Sequence, residues 1–142
     1  MRITTVALVA PFAIVTVPDA QDFMARAQAL HRQVPLIDGH NDYPWALRQH
    51  NIERDINKLD IGTSQPSIHT DIGRLRKGGV GGQFWSVYVP ASMQGQTAVR
   101  VTFEQIDVVH RMMRKYPDTF ELARTAADVE RVFKAGKIAS LI

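Results

Sequence analysis

Short strand-like runs alternate with helix-like runs along this chain, and no other feature limits its fold so strongly. Leu36-Ile37, within the stretch Val34–Trp45 (VPLIDGHNDYPW), reads as a short strand. So does the aromatic and β-branched run Gln83–Val89 (QFWSVYV), closed by Pro90, and so does the final run Lys137–Ile142 (KIASLI). Helical spacing fills the gaps. Phe23, Ala27, Leu30 and Val34 share a face over residues 19–33, and Pro35 ends that helix. From Thr97, the residues Val99, Phe103, Ile106, His110 and Met113 recur at spacings of four and three, and Pro117 follows. Thr125 and Asp128 make a capping-box start for a helix whose face is Val129, Val132 and Phe133, with Gly136 at its end. Parallel strands need crossover connections, so strand–helix alternation predicts a parallel sheet with helices on its faces.

The remaining segments are shorter. Thr70 or Asp71 is placed to cap a helix through Ile72 and Leu75, which Gly78 would stop in a left-handed turn. Residues 46–69 are polar and irregular, with Gly62–Ser67 a clear loop. At the front, Arg2 precedes Ile3–Val17, an uncharged apolar run too short to span a bilayer. That is the pattern of an export signal over residues 1–20, which would make the protein periplasmic, secreted or membrane-associated. Without such a signal the expected place is the cytoplasm.

Composition closes off several classes. With 45% apolar and 22% charged residues, 142 residues suffice for one core. There is no cysteine, which removes thiolate metal sites, disulfides and cysteine nucleophiles. The net charge of +3 is spread along the chain, and no basic run is interleaved with aromatics, so nucleic acid is not an expected partner.

Three features bear on chemistry. Asp38, His40 and Asp42 alternate directly behind an apolar run, and in a strand alternate side chains point to one face. Imidazole with carboxylate is a ligand set for a divalent ion such as zinc, while Asp-Gly and Asn-Asp are equally good turn formers. Lys77–Gln83 (KGGVGGQ) holds four glycines, but they precede a strand and fit no phosphate-loop pattern, so a tight turn is expected. His110 lies on a helical apolar face, and His31, His50 and His69 have no ligand-like partner at useful spacing. Trp45 and Tyr88 stand just past two strand ends, where an amphipathic aromatic suits a pocket wall or a packed rim.

The blocks LIDGHNDYPW, HTDIGRLRKGGVGGQFWSVYVP, DVVHRMMRKYPDTF and GKIASLI, in that order, resemble the membrane (renal) dipeptidase family, peptidase family M19. The resemblance runs from about Gln21 to Ile142. It implies an α/β fold, the N-terminal portion of a (β/α)₈ TIM-type barrel over residues 21–142 with about three strands present. It implies a zinc dipeptidase with two Zn²⁺ ions per complete site, and a dipeptide as the substrate. His40 and Asp42 would be first-strand ligands of one zinc. Trp45 and Tyr88 would line the substrate cleft, and Asp38 would orient a neighbour. In the family, the strand matching KIASLI runs into the glutamate that bridges the two zincs. The expectation is therefore an N-terminal piece that is inactive alone, of a full-length protein for which a homodimer is one option. Another hydrolase of this barrel type, acting on an amide or lactone, and a non-catalytic remnant remain the alternatives.

Overall fold

A computed structural model describes residues 20–50 and 54–142. Helix α1 spans Ala20–Gln33, β1 Leu36–Asn41, α2 Tyr43–Gln49, α3 Ile72–Lys77, β2 Val80–Trp85, α4 Gly95–Lys115, β3 Phe120–Leu122, α5 Ala126–Lys134 and β4 Ile138–Leu141. The expected export signal lies outside the described residues but for Ala20, the first residue of α1.

The strands form one sheet in the order β1-β2-β4-β3, every neighbouring pair parallel. The expected alternation is therefore present, with one strand more than expected. Residues Phe120–Leu122 form a three-residue strand at the far edge, and α5 brings the chain back to place β4 inside it. Three residues carry too short a pattern to show in sequence. The second strand also begins earlier than expected, at Val80 rather than Gln83, so part of the glycine run is in the sheet.

Register sorts the side chains onto two faces. Asp38, Gln83, Ser140 and Leu122 stand side by side, and Ile37, Gly82, Ala139 and Glu121 form the next row on the opposite face. The first face carries the main core. Trp85 packs edge-on against Phe120 (centroids 5.6 Å, 82°) and Tyr43 (6.2 Å, 65°). Leu47 of α2, Leu59 and Ile61 of the following loop, and Val108, Val109 and Met112 of α4 are among the residues that join it. On the other face, α5 buries Val132 against Ala123 and Ala139.

The caps follow the sequence closely. Thr125 Oγ1 accepts from the Asp128 amide while Asp128 reaches back to the Thr125 amide. Asp71 Oδ1 accepts from the Arg74 amide at 2.8 Å. The stop of α3 differs: Gly78 keeps a right-handed conformation (φ −75°), and Gly79 takes the left-handed one (φ 74°). Gly81 answers a different demand. A side chain there would come within 2.7 Å of Phe133 and 2.9 Å of the Pro35 backbone, so only glycine lets α5 and the β1 entry close on β2.

Two helical faces are not those the spacing predicts. Helix α4 starts two residues before Thr97, and it buries Val101, Gln105, Val108, Val109, Met112 and Met113. Val99 and Phe103, from the expected stripe, are 57% and 67% exposed. In α1 the expected face also looks outward, with Phe23, Leu30 and Val34 about half exposed.

Candidate metal centre

The carboxyl end of β1 departs from a regular strand. Asp38 pairs with Gln83 and Asn41 with Trp85, so three steps along β1 match two along β2. One extra residue in a strand re-aims the side chains around it. Simple alternation therefore does not hold through this stretch. Even so, Asp38, His40 and Asp42 all border one cleft of about 460 Å³.

Within that cleft His40 Nε2 lies 3.0 Å from Asp42 Oδ1. The two side chains are 67% and 51% exposed, so both can be reached from solvent. Asp38 points its carboxylate back into the chain, where Oδ1 accepts from the His40 amide at 3.1 Å. Asp42 occupies the N-cap position of α2 yet makes no capping hydrogen bond with its side chain. Asn41 does that instead: its Oδ1 accepts from the Tyr43 amide at 3.1 Å. The Asp42 carboxylate is thereby left facing His40.

The donor set suits a zinc ion. Nitrogen and oxygen ligands sit about 2.0–2.2 Å from zinc, so two donors 3.0 Å apart subtend roughly 90–100° at a shared ion, within the range of four- and five-coordinate sites. The set is also incomplete: among the described residues no group of three or more His, Cys, Asp or Glu side chains is placed to hold a metal.

Below the pair the strand end is buried and polar. Asn41 Nδ2 donates to Thr70 Oγ1 at 2.8 Å, and the Thr70 hydroxyl donates back to Asn41 Oδ1 at 3.1 Å. Gln83, fully buried, lies 3.4 Å from Asn41 Nδ2 through Oε1 and donates through Nε2 to the carbonyls of Asp38 and Phe84. Tyr43, on the cleft floor, donates its hydroxyl to the Leu59 carbonyl at 2.9 Å. Burial, reinforced by Asp60, pushes that phenol far above its ordinary range, so it stays a donor at any physiological pH.

The far wall was not legible from local spacing. His69 and His50 both border the cleft, with Gln49 and Ser67–Thr70. His50 arrives at the end of α2, about one short helix on from His40, and His69 in the loop before α3, 29 residues on. The aromatics meet each other elsewhere: Trp45 and Tyr88 pair at 5.4 Å between centroids, tilted by 47°. Neither borders the cleft. Gln105 of α4, buried, donates to the Tyr88 carbonyl at 2.5 Å and so ties that pair to the core.

A four-stranded parallel sheet with helical crossovers, bearing polar groups at the carboxyl end of its first strand, suits either an open α/β sheet or part of a TIM-type barrel. Solved structures of family M19, which are of the barrel type, decide for the barrel. Dipeptidase AC, a metallopeptidase of family M19, superposes with a TM-score of 0.58 at 31% identity, over 77% of this chain and 34% of that one. A metallopeptidase from Rhodobacter sphaeroides, liganded with a phosphinate mimic of the dipeptide L-Ala-D-Ala, shares the fold (TM-score 0.59, 22% identity, 76% of this chain and 37% of that one). Dipeptidase ataJ of Aspergillus terreus is 49% identical over 132 residues, and human Dipeptidase 3 is 45% identical over 127. These cover 84% and 88% of this chain, but only 31% and 24% of the relatives. The family model for the membrane dipeptidases, peptidase family M19, matches residues 24–142, and the chain belongs to that family. It spans about a quarter to a third of the length of the curated relatives it matches.

Proposed function

We propose that this chain supplies the first-strand metal ligands, His40 and Asp42, of a zinc dipeptidase. The observation that carries this reading is the solvent-open imidazole–carboxylate pair, 3.0 Å apart, at the carboxyl end of β1. Asp38 orients the ligand pair by holding the His40 amide. Zinc, when bound there, would polarise a peptide carbonyl and acidify a water. His50 and His69 give the cleft polar groups for a substrate's charged ends. The Trp45–Tyr88 pair stands outside the cleft and would meet only a substrate side chain that extends beyond it. Export led by the apolar run Ile3–Val17 belongs to the same proposal, and N-terminal sequencing of the exported product would read the cleavage point.

Two donors hold zinc weakly, and the described residues form no larger ligand group. The 142-residue chain by itself is therefore expected to bind Zn²⁺ at His40 without hydrolysing dipeptides. A Zn²⁺ titration followed at the imidazole resonances tests this. His40 is expected to shift, the shift is expected to weaken strongly in Asp42→Ala, and His40→Ala is expected to take up no Zn²⁺ by calorimetry. A His40 resonance untouched by zinc would sink the ligand assignment. Zinc-dependent dipeptide hydrolysis by the chain would sink the claim that it is inactive.

A further inference from the structure

The residue between the two proposed ligands is bonded into the protein instead of open to water. His40 and Asp42 are exposed, whereas Asn41 is buried and uses its side-chain amide on three separate elements: Thr70 before α3, Gln83 of β2 and the first amide of α2. Its own carbonyl accepts from the Ser86 amide at 2.8 Å. Thr70, its main partner, does not belong to a loose loop. Arg74 donates through its guanidinium to the carbonyls of Gln65 and Ile68, each at 2.8 Å, and to Asp71 Oδ2 at 2.7 Å. Asp71 Oδ2 also accepts from the Gln65 amide. Residues 65–71 are thereby stapled to α3, and the stapled loop delivers a buried hydroxyl to Asn41.

We propose that Asn41, latched by Thr70, is a positioning residue that sets the spacing of His40 and Asp42 for metal. This rests on the metal reading above. The irregularity in β1 gives the latch its purpose. A strand with one residue too many has lost its ladder as a guide to side-chain direction, and His40 sits inside that break. The Asn41 side chain restores a fixed point between the two ligands. It also takes over the capping of α2, which leaves the Asp42 carboxylate facing His40. The same hydroxyl fixes the loop that carries His69 to the cleft, so one bond pair sets both walls.

The test replaces Thr70 by Val, which keeps the shape and removes the hydroxyl, and by Ser, which keeps the hydroxyl. Two readouts are taken on the full 142-residue chain. The first needs no metal: amide hydrogen exchange at Tyr43 and Ser86, whose amides donate to Asn41. In Thr70→Val both are expected to exchange at least tenfold faster, while Val108 and Val109 in the core of α4 keep their rates. The second is Zn²⁺ affinity at the His40 imidazole, expected to fall about tenfold in Thr70→Val, as for other partners that orient metal ligands, and to return within about twofold in Thr70→Ser. Unchanged exchange at Tyr43 and Ser86 overturns the latch. Faster exchange with unchanged Zn²⁺ affinity overturns its role in positioning the ligands. His40→Ala is run beside them by calorimetric Zn²⁺ titration: if it binds Zn²⁺ like the parent chain, the metal reading fails while the exchange result on the latch still stands. Should Thr70→Val not fold, Gln83→Met removes the amide that joins Asn41 to the Asp38 carbonyl, and the same two readouts decide.

Discussion

At the end of β1 three consecutive residues divide between two environments. His40 and Asp42 are open to water and touch each other. Asn41, between them, is buried, and every polar atom of its amide has a partner. The two settings carry opposite energetic weights. An exposed polar or ionic pair is worth little, about 0–1 kcal/mol, because water solvates each partner almost as well. A buried amide left without partners costs about 1–3 kcal/mol. The exposed pair is thus nearly free to serve a ligand, and the buried residue bears the cost of holding it there. Substitutions on either side of this divide have sharply different expected effects.

The largest effect is expected beneath the buried side. Trp85 registers with Asn41, is 2% exposed, packs on Tyr43 and Phe120, and donates its indole N–H to Ser140 Oγ at 3.1 Å. Trp85→Ala empties the centre of the main core and orphans a buried hydroxyl. A loss of about 3–5 kcal/mol is expected, read as a lowered urea midpoint at unchanged slope. A loss below about 1 kcal/mol would mean that the strand end does not rest on this core.

An intermediate effect is expected at the loop staple, and it depends on pH. Asp71 is held below the ordinary carboxylate value of 3.8, first by the Arg74 amide, then by the Gln65 amide and the Arg74 side chain, which together outweigh the opposing effect of burial. Its pKa is lower folded than unfolded, so the unfolded chain takes up the proton first as pH falls. The stability Asp71 contributes is present at neutral pH, declines from about pH 4 and is gone once pH drops through the folded value. Asp71→Asn should be less stable than the parent at pH 7, with the gap closing in acid. Urea midpoints at pH 7, 4 and 2.5 would show it, and a constant gap would place the effect in packing rather than charge.

The same divide explains what could be read from sequence. Local devices were legible: the capping box at Thr125 and Asp128, the Asp71 cap and the left-handed Gly136. Each depends on neighbours within four residues. Features set by distant neighbours were not. Helix α4 has apolar residues on two adjoining stripes, Val99–Phe103–Ile106 and Val101–Val108–Met112, and periodicity alone cannot say which one meets Trp85 and Phe120. His69 looked solitary because its partner wall is 29 residues away. Asn41 looked like a turn former, since nothing in HND announces that Thr70 and Gln83 will close on it.

The smallest stability effect is expected where the proposed function is largest. His40→Ala removes an exposed side chain whose one close polar contact among the described residues is the exposed Asp42. No core contact is lost, and the Asp38 bond to the residue 40 amide survives because it uses backbone. Stability should stay within about 0.5 kcal/mol of the parent, as is typical of surface substitutions, read as a nearly unchanged thermal midpoint. Zinc binding at the cleft should be lost altogether. Such a split, full stability with no metal, is the behaviour of a ligand, whereas Thr70→Val should weaken both together. If His40→Ala proved strongly destabilising without zinc, the imidazole would belong to the scaffold, and the division between exposed ligand and buried support at the end of β1 would have to be redrawn.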